Sequence, residues 1–428
     1  MTASPEIVLA VMILTYIAVK SLKISTEISL FMAAITGGLI GGAGIPARHI
    51  VEGAFTYLDI ILIFITATIF MNFLKESGGV AFVVRRILSR FHRRKVILFV
   101  LITLLLLIPG ALTGAGSVTV LITGGMIAIV LNYMGISKPK TAAIIFILAG
   151  LSAAAPPVSL WAMLTAAGVN MPYVGFFLPL LIPCVFLSLI TIFILGWKAK
   201  PVDLEKALKE LPEAPSKMNW IRVSAPFFVF ILLVAAGRVW PHTLPVIGLS
   251  MMFVVSALMS FSLSPIKFNI LKISRDTVHQ LLPLIGTLTC VGILVQIMTL
   301  TGVRGLIAIT IVTLPVTIVI LSFSFVLPVS EAVLMWGAAP VLGVPLVLLF
   351  NTIGLNPIIA LAGMSIIWPL GDALPPTAII GRLTKEITSM EEPYSQLLKH
   401  CIIPGIIIIT AGILIIFFSK ELSFLTLL

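Results

Sequence analysis

Charge is what this 428-residue chain has least of. Only 10% of its residues are Asp, Glu, Lys or Arg, against about a quarter in an ordinary soluble domain, so a soluble globular fold is excluded. Cysteine is nearly missing: Cys184, Cys290 and Cys401 sit in or beside apolar runs without metal-ligand spacing, which argues against a disulfide framework or a zinc site. There is no HExxH, no GxSxG-like nucleophile setting and no pair of membrane aspartates at helical spacing, so an intramembrane enzyme has no support and a non-enzyme is expected. His49, His92, His242, His279 and His400 all fall in or near loops and suggest neither a metal site nor a proton relay. A basic n-region is also lacking before the first apolar run, which is therefore expected to be a retained span.

What the chain has in quantity is apolar sequence. It is 60% hydrophobic with a mean hydropathy of +1.21, which defines an all-α polytopic membrane protein. Ala155-Pro156-Pro157-Val158-Ser159 lies inside one apolar segment, and Leu374-Pro375-Pro376-Thr377-Ala378 lies inside another, 219 positions later. A Pro-Pro pair removes two backbone donors where no water compensates, so it is tolerated only where the freed carbonyls face protein or a wet cavity. Broken helices at matching places in two halves point to the substrate and ion site of a secondary transporter.

Runs of about 20 apolar residues, the length that crosses the hydrocarbon core, fall into two groups. Residues 1–198 hold spans 6–22, 27–45, 57–75, a broken span 141–168 and span 174–197, with an interrupted run at 95–134. After a hydrophilic linker at 199–217, residues 218–428 hold spans 219–239, 243–261, 281–301, a broken span 355–382 and span 399–419, with an interrupted run at 306–350. The interrupted runs carry turn formers at their middles, Pro109 to Ser117 and Pro328-Val329-Ser330-Glu331, and are read as re-entrant hairpins whose tips offer backbone to an ion. Each half then makes five crossings, and the second is inverted relative to the first. With both termini outside, 23 of the 27 basic residues fall in the expected cytoplasmic segments and only Arg48, Arg238, Arg304 and Lys420 fall outside, as the positive-inside rule requires. The net charge of +11 thus reflects topology and membrane lipid, with no nucleic acid expected. Residues 79–91 alternate apolar and basic residues as an interfacial helix does; their counterpart is placed at 266–280, and residues 202–211 are read as a helical part of the linker.

This order resembles that of the large membrane subunit of TRAP transporters, within the ion transporter superfamily. The resemblance rests on Gly78-Gly79-Val80 before an arginine-bearing helix, the small-residue tip Thr113 to Thr119, Ala154-Ala155-Pro156-Pro157 and Leu374-Pro375-Pro376. It implies sodium-coupled uptake of an organic anion, usually a carboxylate, by an elevator motion in the cytoplasmic (inner) membrane. It also implies a separate small four-span membrane subunit and an extracytoplasmic substrate-binding protein, with Na+ as coupling ion and no other cofactor. The tip Pro328 to Glu331 departs from the small-hydroxyl tip of the family.

The residues themselves give a matching site. Pro157 and Pro376 suit the first turn of a restarted half-helix, whose positive end can meet an anion while unwound carbonyls coordinate a cation. The ion-binding set is Thr113, Gly114, Gly116, Ser152, Ala155, Pro156, Glu331, Asp372, Leu374 and Pro375. The substrate-binding set is Ser117, Thr119, Ser159, Ser330, Thr377 and Arg382. Glu331 and Asp372 are the intramembrane charges; both could ligate sodium or carry a proton, or Asp372 could cap the restarted helix and Glu331 pair with a basic residue. A second transport reading is a self-sufficient superfamily carrier, either a proton- or sodium-coupled dicarboxylate carrier or a cation/proton antiporter.

Overall fold

The computed structural model describes residues 3–240 and 247–427. His242 and residues 243–246, with which the expected span 243–261 begins, lie outside the described residues. Every regular element among the described residues is helical, and eight of the helices are long and apolar enough to cross a bilayer.

In the first half the elements run α1 (Pro5–Ser21), α2 (Thr26–Ile40), α3 (Ala47–Phe55), α4 (Leu58–Glu76) and α5 (Gly79–Phe91), then a hairpin of α6 (Lys95–Thr113), α7 (Gly116–Thr119), a π-turn at Val120–Gly124 and α8 (Gly125–Tyr133). A helix in two pieces follows, α9 (Lys138–Ala154) and α10 (Leu160–Gly168), and then α11 (Phe177–Leu195). After the linker helix α12 (Leu204–Glu210) come α13 (Trp220–Val239), α14 (Leu249–Ser262), α15 (Ile270–Leu300) and α16 (Val303–Thr313). The second hairpin is α17 (Val316–Leu334), a 3₁₀ turn at Met335–Gly337, a π-turn at Ala339–Gly343 and α18 (Val344–Thr352). The second two-piece helix is α19 (Pro357–Ile367), prolonged by a 3₁₀ turn to Ala373, and α20 (Ile379–Ile387), before α21 (Tyr394–Phe417) and a closing 3₁₀ segment. The two halves therefore carry the same order of elements, down to a π-turn in the return arm of each hairpin.

Local chemistry sets most of these boundaries. Asp203, Asn219, Asn269 and Asn356 each accept a backbone N–H of the helix they precede, and Pro5, Pro139 and Pro357 occupy first-turn positions that need no donor. Gly78 and Gly302, at φ +79° and +78°, turn the chain sharply before α5 and α16.

Three sequence expectations are corrected here. The segment 266–280 does not lie apart on the surface: from Ile270 it is the first part of the 31-residue α15, because Asn269 caps a helix that runs on, through Pro283, to Leu300. The counterpart of the interfacial helix α5 is α16, introduced by the same left-handed glycine. The second hairpin accordingly spans 316–352, not 306–350: Leu314 precedes Pro315 and is forced out of the helical region to ψ 147°, ending α16. Its tip is not at 328–331, since Pro328, Ser330 and Glu331 are all within α17; the chain reverses at Met335, whose φ of +55° is a conformation costing about 1–3 kcal/mol for a non-glycine residue.

The arms of the first hairpin are long. Lys95–Thr113 and Gly116–Tyr133 each have membrane-crossing length. What marks the first tip as internal is its surroundings: Gly114 is buried, and a Cβ there would stand 2.3 Å from the Phe64 ring. Irregular backbone survives at membrane depth under such protein cover.

The core lies around α9 and α19. Every residue from Thr141 to Ala154 and from Ile359 to Ile367 is buried. In lipid, helices gain little from hydrophobicity and associate through close packing of small residues. Accordingly Gly150 lies against Pro369, Gly116 against the Ala149 carbonyl and Gly363 against the Gly412 carbonyl. At the other extreme, α13 has few buried positions and turns most of its apolar surface outward.

Candidate functional site

The two hairpins and the two broken helices meet through equivalent contacts. In the first half, α9 ends as Ala155 turns extended, and Val158 N–H donates to Ala111 O at 3.0 Å. In the second, Leu374 turns extended, and Thr377 Oγ1 donates to Ala332 O at 2.9 Å. Ala111 and Ala332 each stand three residues before the tip residue of positive φ, Gly114 or Met335. Each break is thus pinned to the last turn before its own hairpin tip. Both Pro-Pro bonds, Pro156-Pro157 and Pro375-Pro376, are cis.

The prolines are not first-turn residues, contrary to the sequence expectation. The half-helices begin at Leu160 and Ile379, three residues beyond Pro157 and Pro376, after an extended Ser159 in the first half and a left-handed Ala378 in the second. Ser159 and Ala378 stand at the N-caps. Asp372 therefore does not cap a restarted helix; it closes the 3₁₀ turn that ends the first piece.

Around the first break the polar groups are hydroxyls. Thr119 Oγ1 and Ser152 Oγ lie 2.8 Å apart, and Ser152 also donates to Ala149 O at 2.6 Å. Both are fully buried beside Gly110, where a Cβ would stand 1.9 Å from Ser152 Oγ. Thr113 Oγ1 is turned back on Pro109 O at 2.7 Å. Gly116 opens α7, and Ser117 beside it is half-buried. Ser159 takes the Tyr173 hydroxyl on its N–H at 3.2 Å and keeps a buried Oγ without a partner.

Around the second break the polar groups are carboxyls. Glu331 is fully buried on α17, and its Oε2 accepts the indole N–H of Trp161 at 2.9 Å. Its Oε1 and Asp372 Oδ2 are buried without hydrogen-bond partners. The two segments are in close contact: a Cβ on Gly371 would stand 2.2 Å from Pro328 O and 2.7 Å from Glu331 Cβ. No basic residue forms an ion pair with either carboxyl among the described residues. Glu331 is therefore not the partner of a surface cation. An ionised carboxyl at membrane depth costs several kcal/mol unless something positive joins it, so this pair calls for a cation or a proton.

Other predicted residues are set apart. Ser330 donates to Leu327 O of its own helix at 2.8 Å and is not at a tip. Arg382 is exposed on α20, reaches Pro376 O at 3.4 Å and faces an open cavity with Lys385 and Tyr394. Ala155, Pro156, Leu374 and Pro375 lie in the two breaks as expected.

Sequence reasoning missed Trp161, because its role depends on a cross-seating of the halves. Trp161, Thr165 and Gly168 form one face of α10, spaced by four and three residues, and bear on the second hairpin at Glu331, Ala339 and Val344. The corresponding face of α20 puts Ile380 on Gly116 and Ile387 on Gly125 of the first hairpin. Each half-helix thus rests on the hairpin of the other half.

These features define a multi-pass, all-helical membrane fold. Among solved structures the chain is similar to the Alcanivorax borkumensis YdaH transporter, whose crystal structure is described as revealing an unusual topology. The TM-score is 0.57 at 13% sequence identity, over 86% of this chain and 87% of that one. No protein-family model and no curated protein matches the sequence.

Proposed function

We propose that the chain is a secondary-active carrier that takes up an organic anion, a carboxylate, with sodium as the coupling ion, as the large membrane subunit of a TRAP-type system. The observation that carries this reading is the doubled arrangement of hairpin tip and Pro-Pro break, each pair tied by one equivalent hydrogen bond, Val158 to Ala111 and Thr377 to Ala332. Two such units related by inversion place unwound carbonyls for a cation and half-helix N-termini for an anion at one depth. In this reading the carbonyls of Thr113, Ala155, Pro156, Leu374 and Pro375 with the Glu331 and Asp372 carboxylates serve sodium, and Ser117, Thr119, Ser159 and Thr377 face the anion. The two units move together as an elevator, in the cytoplasmic membrane with both termini outside. A small four-span subunit and an extracytoplasmic binding protein are its partners. The test is uptake of carboxylates in reconstituted vesicles with sodium inside, outside or replaced by choline. Uptake indifferent to sodium removes this reading.

The unpartnered oxygens of Glu331 and Asp372 favour one second reading, a self-sufficient carrier in which this pair takes up and releases protons. Uptake that persists in choline, follows a pH gradient and fails in Glu331→Gln supports it.

A further inference from the structure

A groove of about 470 Å³ runs between α5 and the first hairpin, away from the breaks. On its α5 side lie Val83, Arg86, Ile87 and Arg90, spaced by three, one and three residues and so on a single face of the helix. The opposite wall is Leu101, Leu104, Leu105 and Ile108 of α6, with the same spacing. That wall runs seven residue steps from Leu101 to Ile108, roughly 10 Å at 1.5 Å per residue, or about two thirds of the hydrocarbon depth of one leaflet. Its rim carries Trp220, stacked edge-on against Phe82 at 5.4 Å, and the Arg86 guanidinium lies 5.6 Å from the same Phe82 ring.

The charge on this rim has no counterpart in the protein. Arg86 and Arg90 are exposed, and neither forms a salt bridge or donates a hydrogen bond to a protein group among the described residues. The neighbouring Arg85 is different: its guanidinium is committed to the Leu208 and Leu211 carbonyls of the linker, at 2.9 and 3.0 Å. Two guanidiniums one helical turn apart, above a groove whose remaining lining is apolar, aliphatic along α6 with Phe91 and Trp220 beside it, match a phosphate ester attached to an acyl chain. A free anion would have no use for the groove, and a zwitterionic headgroup would leave one charge unmatched.

We propose that this groove is a binding site for one anionic phospholipid, its phosphate held by Arg86 and Arg90 and one acyl chain lying along Leu101 to Ile108. The lipid would fix the interfacial helix α5 to the arm of the first hairpin, and through α6 would bear on the tip at Gly114.

Native mass spectrometry of the purified full chain, with added phosphatidylglycerol, phosphatidylcholine or inorganic phosphate, tests the site. The expected result is a retained single phosphatidylglycerol in preference to phosphatidylcholine, undiminished by excess phosphate. The variant Arg86→Gln/Arg90→Gln should lose that preference by roughly tenfold or more, the scale of two surface cations acting on an anionic headgroup. The variant Arg93→Gln/Arg94→Gln, whose arginines are exposed just beyond α5, should keep it. Leu104→Trp, which fills the groove and leaves both arginines, should also weaken retention. Equal retention of the two lipids, an equal loss in the Arg93/Arg94 variant, displacement by phosphate alone or full retention in Leu104→Trp would each overturn the proposal.

Discussion

Trp161 donates its indole N–H to Glu331 Oε2 at 2.9 Å, joining the half-helix of one half to the hairpin of the other through the only hydrogen bond that Glu331 receives from a side chain among the described residues. Trp161→Phe keeps most of the ring volume and removes the donor, leaving a buried carboxyl with no partner. A loss of about 1–3 kcal/mol in stability is expected. In Trp161→Phe/Glu331→Gln the two losses should be less than additive, as for groups in one contact. Thermal unfolding of the four proteins in lipid nanodiscs measures this, and strict additivity would deny the coupling.

Gly110 and Ser152 stand four residues before Gly114 and Pro156, as Glu331 and Gly371 stand four residues before Met335 and Pro375. Each pair is in close contact, but the small residue is on the hairpin in the first half and on the broken helix in the second. Gly110→Ala is expected to destabilise by about 1–3 kcal/mol through overpacking, and Gly110→Ala/Ser152→Gly, which adopts the arrangement of the second half, should recover much of it. Unfolding midpoints decide the matter; a double variant no better than Gly110→Ala would show that the clash lies elsewhere.

The proposed orientation puts the start of α9 on the cytoplasmic side of the membrane. Lys138 opens α9, and its ammonium reaches Ser389 O at 2.9 Å just beyond α20, so the two positions must face the same compartment. Cysteines introduced at Lys138 and Ser389 in a background lacking Cys184, Cys290 and Cys401 should both resist impermeant reagents applied outside intact cells. Both should react after permeabilisation. Labelling of either from outside contradicts the proposed orientation.

Much of this fold was legible because membrane helices announce themselves by length and composition. In the first half, helices over the four expected full spans, the two-piece helix over the broken span and the hairpin lie close to where the sequence put them, since Gly114 and the doubled prolines leave the backbone few options. The second hairpin was misplaced for an equally physical reason. Proline normally ends a helix, and Pro328 looked like a tip, but within α17 it is accommodated inside a long buried helix, while the true reversal uses Met335, a residue with no turn propensity to betray it. At the site, the residue types were legible and their pairings were not. Trp161 reaches Glu331 across 170 positions of sequence, and only the cross-seating of the halves reveals why an indole belongs there.

That cross-seating also constrains how the protein comes into being. Trp161 and Thr165 enter the membrane with the first half, yet their acceptors, Glu331 and the Ala339 carbonyl, belong to sequence that the ribosome has still to deliver. The Gly116 and Gly125 surfaces of the first hairpin likewise wait for Ile380 and Ile387. During synthesis the first half therefore lacks the acceptors of Trp161 and Thr165 until the second half is made. A chain truncated after the linker leaves both seats empty, which makes it a natural substrate for membrane quality control and the two halves a single unit of assembly.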